Sequence, residues 1–318
     1  MHLDFAPMEG VTSYLYRQVH AACFPGVDRY FSPFIAPDGS GRFKGAALRD
    51  VLPENNRDLN VIPQVLCNSA EAFLTVSREL GAMGYEELNL NVGCPSATVV
   101  PKHKGAGMLA DLRSLDAFLA EVFSRCTLKV SVKTRMGLQS TAEFPAVLEI
   151  YNRYPLSELI IHARDRVGMY KSVPDLEAFA AAFPQCRAPV SYNGNVVGKD
   201  SFEKVMSTNP GLERMMLGRG VVTDPALFRL LRGGAAMTDD ELRDFLNRLR
   251  SAFLAAGLGE HFTLSRLKEV WYYTIWKFPD SGRMLKAVNK SRRLDEYEAA
   301  VSALFASGLY RQDAVFRG

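Results

Sequence analysis

Short apolar runs rich in β-branched and aromatic residues recur along the first two thirds of the chain, at Leu3–Ala6, Tyr30–Ile35, Val61–Leu66, Glu87–Asn91, Leu128–Thr134, Glu158–His162, Ala188–Asn193 and Arg214–Leu217. Most are near-continuously apolar, the pattern of strands covered on both faces. Between them lie amphipathic stretches at Ala70–Met83, Ser114–Ser124, Ala142–Arg153, Asp175–Phe183 and Lys199–Met206, several preceded by a candidate cap (Ser69, Asp111, Thr141, Asp200). Eight strands alternating with helices predict an α/β fold, a (β/α)8 TIM barrel. A doubly wound open sheet would use fewer strands and place a Gly-rich turn after the first. Here the first strand runs into Ala6-Pro-Met-Glu-Gly10, with no GxGxxG. Arg232-Gly-Gly234 reads as a linker. Beyond it the pattern is helical to about Ser307, opened by a capping-like Thr238-Asp-Asp-Glu241 and broken at Gly257-Leu-Gly259. The expected organisation is a barrel over 1–234 and a small all-helical domain over 235–318.

Composition narrows this little. Hydrophobic residues at 47% and charged residues at 23% of 318 positions suit a soluble protein with a sizeable core. The net charge of +3 excludes a polycation but not a local basic patch. The five cysteines (23, 67, 94, 126, 186) are scattered and form no CxxC pair, so no zinc ribbon, and no metal, is expected. The start MHLDFAPMEG lacks the basic and apolar stretches of a signal peptide, and no run approaches the ~18 apolar residues of a membrane span. A cytoplasmic, membrane-free monomer is the expectation.

Active sites of such barrels lie at the C-terminal strand ends, and polar residues gather there: Pro7-Met8, Gln64, Asn91 with Gly93-Cys94-Pro95, Lys133 with Arg135, His162 with Arg164, Asn193-Gly194-Asn195 and Gly218-Arg219-Gly220. Polar groups ending apolar strands need partners or a ligand. Gly-rich turns after the last two strands suit a phosphate, because bare backbone N–H groups can close on the anion and Arg219 adds a charge-assisted hydrogen bond. A lone cysteine is ordinarily a small buried hydrophobe. Cys94 differs, since Gly93 and Pro95 set its thiol in a rigid turn at the barrel mouth, as acid or as nucleophile. The Lys102–Gly107 loop that follows reads as a lid. Lys133 and His162, at matching places on neighbouring strands, point to an electron-rich ligand.

The ordered set Ala6-Pro-Met-Glu-Gly-Val-Thr12, Gln64-Val-Leu, Asn89-Leu-Asn-Val-Gly-Cys-Pro-Ser96, Gly105-Ala-Gly-Met-Leu109, Val132-Lys-Thr-Arg-Met-Gly137, Ile161-His-Ala-Arg164 with Tyr170, Asn193-Gly-Asn and Met216-Leu-Gly-Arg-Gly220 resembles the flavin-dependent tRNA-dihydrouridine synthases over almost the full length. The resemblance implies FMN at the barrel mouth, with Pro7, Met8 and Gln64 at the isoalloxazine ring and Lys133 and His162 at its polar edge. Asn193, Gly194, Asn195, Gly218 and Arg219 would hold the phosphate. It implies NADPH as reductant and tRNA as partner. Hydride would pass from reduced FMN to uridine carbon 6 and a proton from Cys94 to carbon 5; a thiol with an ordinary pKa of about 8.5 stays protonated at neutral pH. Asn91 and Arg164 would meet a target nucleotide drawn from its stack. Asn195 stands where the family usually has Asp, and Ala97 and Thr98 where a basic residue commonly follows the Gly-Cys-Pro turn.

From His261 to Arg293, eight bases (266, 268, 277, 283, 286, 290, 292, 293) face only Glu269 and Asp280, a net of +6 that leaves −3 for the rest of the chain. Such a run attracts phosphate, and Lys268, Lys286 and Arg292 are taken as RNA contacts. Both tryptophans, Trp271 and Trp276, lie in this stretch. The helical spacing of Trp271, Ile275 and Phe278 favours the core of the small domain over base stacking. A flavin-dependent reductase of a small pyrimidine or enone would share the barrel features but has no evident use for the basic region. An RNA-binding paralogue without turnover would not need Cys94, Lys133 and His162 together.

Overall fold

The computed structural model describes residues 1–317. All paired strands run parallel: β1 His2–Phe5, β2 Arg29–Phe31, β3 Val61–Ile62, β4 Gln64–Val65, β5 Glu87–Val92, β6 Lys129–Gly137, β7 Leu159–Asp165, β8 Val190–Asn193 and β9 Arg214–Leu217. Their order is β3-β2-β1-β9-β8-β7-β6-β5-β4. The two ends of that order are successive in the chain, separated by Pro63, so the sheet returns on itself as a barrel. The run expected as one strand over Val61–Leu66 is split because proline has no N–H to give the ladder. Pro63 still serves it as an acceptor, its carbonyl taking the N–H of Asn89 at 2.8 Å. β2 stops at Phe31, short of the expected Ile35, just before Pro33; Ile35 returns as an isolated bridge to Val65.

The intervening helices lie close to expectation, at Ala70–Ala82, Leu112–Arg125, Phe144–Tyr151, Leu176–Ala182 and Lys199–Thr208. Ser69 and Asp111 cap theirs, accepting from Ala72 N and from Arg113 N and Ser114 N. Thr141 does not; Ser140 does, in a capping box with Glu143, because the hydroxyl must precede the first helical residue. Asp200 lies inside its helix, and Ser201 Oγ instead accepts from Val197 N and Gly198 N.

Residues 1–7, 28–195 and 203–216 form one compact unit, and residues 8–27, 196–202 and 217–318 another. In the first, an apolar cluster of Ala6, Phe31, Ile62, Ile160 and Met216 occupies part of the core. The strand starts are tied by charge. Arg29 meets Asp4 through two bonds, at 3.0 and 2.7 Å, and also Glu158, with Glu87 at 3.8 Å. Burial and the neighbouring Asp4 push the Glu158 carboxyl up, against the pull of Arg29.

The second unit is helical: Tyr14–Cys23, Arg219–Thr223, Leu227–Leu231, Asp239–Ala255, Glu260–Thr274, Gly282–Lys290 and Leu294–Ala306. Tyr16, His20 and Phe24 of its first segment surround Phe245 at centroid distances of 5.5, 6.4 and 5.6 Å. Thr238 and Glu241 form the expected capping box, and Gly259 at φ +84° separates the next pair of helices. Trp271 is fully buried, its Nε1 donating to Tyr297 Oη at 2.7 Å, as the helical spacing predicts. No helix among the described residues is long and apolar enough to cross a membrane.

Candidate functional site

Side chains two apart on a strand share a face, so the alternation in Leu88-Asn-Leu-Asn-Val92 sends Leu88, Leu90 and Val92 one way and Asn89 and Asn91 the other. Strand register places Gln64 beside Asn89 and Asn91 beside Lys133. The amides form a directed chain. Asn91 Nδ2 donates to Gln64 Oε1 at 2.7 Å, Gln64 Nε2 to Asn89 Oδ1 at 2.8 Å, and Asn89 Nδ2 to Ser131 Oγ at 3.0 Å. Asn91 Oδ1 turns the other way and accepts the backbone N–H groups of Gly93 and Cys94, at 3.0 and 2.9 Å. One asparagine therefore sets both the Gln64 amide and the turn that carries the Cys94 thiol.

The turn is braced twice more. Arg135, fully buried, donates to Gly93 O at 2.9 Å, Asp165 O at 2.7 Å and Met169 O at 2.8 Å. The segment expected to act as a lid is packed only in its second half: Lys102 and His103 are exposed, whereas Gly105–Ala110 is a 3-10 turn and Ala106 N donates to Cys94 O at 3.1 Å. Gly105, at φ +56°, has no room for a Cβ, which would stand 2.8 Å from Cys94 O. Cys94 itself is half-buried.

Across the mouth, Lys133 Nζ donates to Asn193 Oδ1 at 2.9 Å, and Asn193 Nδ2 to Met216 O at 2.7 Å, tying β6, β8 and β9 together. Burial, with the Arg135 charge adding to it, pulls the Lys133 ammonium down to about 7, while Cys94 acts in the opposite direction. His162 is buried, with Nε2 2.9 Å from Arg164 NH1. A guanidinium only donates, so Nε2 accepts and the ring proton is assigned to Nδ1. Arg164 is buried too, and its Nε donates to Ser172 O at 2.7 Å. The loop these residues lead into exposes Val167, Met169, Tyr170 and Val173.

Gln64, Asn91, Cys94, Lys133, His162, Arg164 and Asn193 are thus brought to one set of strand ends. In the turn after β8, a Cβ on Gly194 would meet Tyr192 Oη at 2.2 Å, and Asn195 is exposed. In the second unit, Gly220 lies against the Val196 carbonyl, 2.5 Å from where its Cβ would be, and the Arg219 guanidinium sits 4.9 Å over the Phe316 ring. Pro7 and Met8 follow β1, where Thr12 Oγ1 accepts from Met8 N at 2.8 Å. Lys286 and Arg292 are exposed, and Lys268 Nζ donates to Ser291 O. The basic stretch is less open than its charge implies. Lys277 is buried on Asp224 at 2.6 Å, and Arg266 pairs with Glu269 at 2.7 Å. Sequence reasoning gives Arg135 no role and does not single out Asn89 or Ser131; the alternating asparagines before Gly93 are the available signal for Asn89.

The family model for dihydrouridine synthase (Dus) matches residues 4–253. The chain belongs to the dihydrouridine synthase family. It is accordingly an enzyme of an oxidoreductase family. A protein of Staphylococcus aureus (strain COL) described as a probable tRNA-dihydrouridine synthase is 29% identical over 225 residues, covering 68% of this chain and 67% of the relative. One from Bacillus subtilis (strain 168), described as probable tRNA-dihydrouridine synthase 2, is 27% identical over 234 residues, covering 69% and 68%. Among solved structures, morphinone reductase superposes with a TM-score of 0.50 at 12% identity, over 77% of this chain and 88% of that one, a likeness of fold alone. Among the described residues of this family member, no group of three or more His, Cys, Asp or Glu is placed to hold a metal.

Proposed function

We propose that the protein reduces the 5,6 double bond of uridines in tRNA to dihydrouridine, using FMN and NADPH. The observation that carries this reading is the double role of Asn91, which orients Gln64 and the Cys94 turn together. The buried polar side chains at the strand ends fit a flavin: amides able to give and take hydrogen bonds, beside a lysine and a histidine. FMN would supply the hydride and NADPH would restore it. The chain's own part is to hold and to protonate. Pro7, Met8 and Gln64 bind the ring, Lys133 and His162 its polar edge, and Asn193, Gly194, Asn195, Gly218 and Arg219 the phosphate. Asn91 and Arg164 position the uridine, and the Cys94 thiol gives its proton to carbon 5. In this reading residues 1–234 carry the chemistry, and residues 235–318, with Lys268, Lys286 and Arg292, hold the RNA.

The direct test is dihydrouridine measured by nucleoside mass spectrometry after unmodified bulk tRNA is incubated with protein, FMN and NADPH. Protein that binds FMN but leaves no dihydrouridine in tRNA would transfer the reading to ribosomal RNA or to a small pyrimidine or enone as substrate.

Two further outcomes are expected. Arg219→Ala loses a charge-assisted bond to the phosphate and weakens FMN binding about tenfold; an unchanged affinity in a fluorescence titration would remove Arg219 from the site. Lys133, drawn down to about 7 without ligand, is mostly neutral at pH 8. An electron-rich flavin edge raises it again, so FMN binding at pH 8 takes up close to one proton. Calorimetry in two buffers of different ionisation enthalpy reads this, and Lys133→Met abolishes it.

A further inference from the structure

Within the second compact unit, Glu9 and Val11 face Lys268, Glu269 and Tyr272 of the helix Glu260–Thr274 across a groove of about 470 Å³, with Asn289 of the helix Gly282–Lys290 completing the lining. We propose that this groove takes one unpaired base of the RNA substrate, stacked on the ring of Tyr272. The proposal deepens the tRNA reading and rests on it.

Tyr272 is 64% exposed, while its neighbour Trp271 is fully buried. Its ring is held rather than loose: Tyr273 abuts it edge-on at 5.0 Å and rests in turn on Phe316 at 5.8 Å. A fixed, solvent-facing aromatic loses little entropy on binding and stacks on any base. The groove walls are fixed as well, since Arg266 NH1 donates to Gly10 O at 2.6 Å and to Glu269 Oε2 at 2.7 Å. Lys268 is anchored on Ser291 O.

The lining offers the chemistry of a base edge. Its two carboxylates, Glu9 and Glu269, accept hydrogen bonds from base N–H groups, while Lys268 in the same lining and Arg266 on Glu269 offset their charge. Outside the groove the surface is basic. Lys286 stands three residues before Asn289 and is therefore its neighbour on the helix surface, and it belongs to the stretch of net +6. The base goes in and the backbone stays out along the lysines, as in other single-strand sites.

The test measures equilibrium binding of unmodified tRNA and of a fully paired RNA duplex to the wild type, Tyr272→Ala and Tyr272→Phe. The alanine variant is expected to bind tRNA about tenfold more weakly, with duplex binding unchanged. KM for tRNA should rise in step, kcat should hold at saturation, and phenylalanine should restore affinity to within about twofold. Equal tRNA affinity in Tyr272→Ala, equal losses for tRNA and duplex, or a wild type that binds no unpaired RNA would each overturn the proposal. Binding is read without turnover, so dihydrouridine made by a protein whose Tyr272→Ala variant keeps full affinity removes the groove and leaves the reaction standing.

Discussion

Cys94→Ala is expected to keep its flavin and lose dihydrouridine formation by at least about a hundredfold. General acid catalysis by a placed side chain contributes roughly 10² to 10⁴ in rate, and here one atom is removed. The turn does not depend on the thiol. It is held by Asn91 Oδ1 on the Gly93 and Cys94 N–H groups, by Arg135 on Gly93 O, and by Ala106 N on Cys94 O. Alanine should therefore leave the backbone, the Gln64 amide and FMN affinity as they are, and NADPH should still reduce the bound flavin. Single-turnover reduction followed by nucleoside mass spectrometry separates the steps. Wild-type product from Cys94→Ala would mean that water or another group supplies the proton.

The second large effect lies at the opposite ends of the strands and concerns stability. Arg29→Met removes the cation shared by Asp4 and Glu158, which are 0% and 1% exposed. Leaving buried carboxylates without their partner costs about 3–5 kcal/mol, a large share of the roughly 5–15 kcal/mol that holds an ordinary domain folded. The sign with pH follows from linkage. Burial and Asp4 already push Glu158 up, and losing Arg29 pushes it further, so the folded variant favours a protonated Glu158 carboxyl. Its deficit relative to the wild type should be full at pH 8 and shrink as pH falls toward 5. Urea unfolding at the two pH values measures it. A deficit that ignores pH would assign the loss to packing of the arginine stem alone.

The strand-end placement of the candidate residues was legible in the chain because strand chemistry is local. A polar residue ending a buried apolar strand stands out, as Gln64, Asn91, Lys133, His162 and Asn193 do. Asn89 and Ser131 do not stand out, since a polar residue inside a strand reads as an exception until its partner on the next strand is known. Arg135 shows in the sequence only as a strand-end cation; its three carbonyl partners come from the Gly93 turn and from the Asp165 and Met169 backbone.

Period and punctuation in the sequence determined the eight strand segments, the helices between them, the helical C-terminal region and the motifs that mark the family. Only the tertiary structure decided which side chains pair. It buried Lys277 on Asp224 within a run that reads as surface charge, and set Trp271 inside and Tyr272 outside on one helix. It also joined the early helix Tyr14–Cys23 to the helix Asp239–Ala255 in a single core around Phe245. The physical reason is range. Propensity, capping and alternation act over a few residues, whereas burial and ion pairing depend on what the rest of the chain brings alongside.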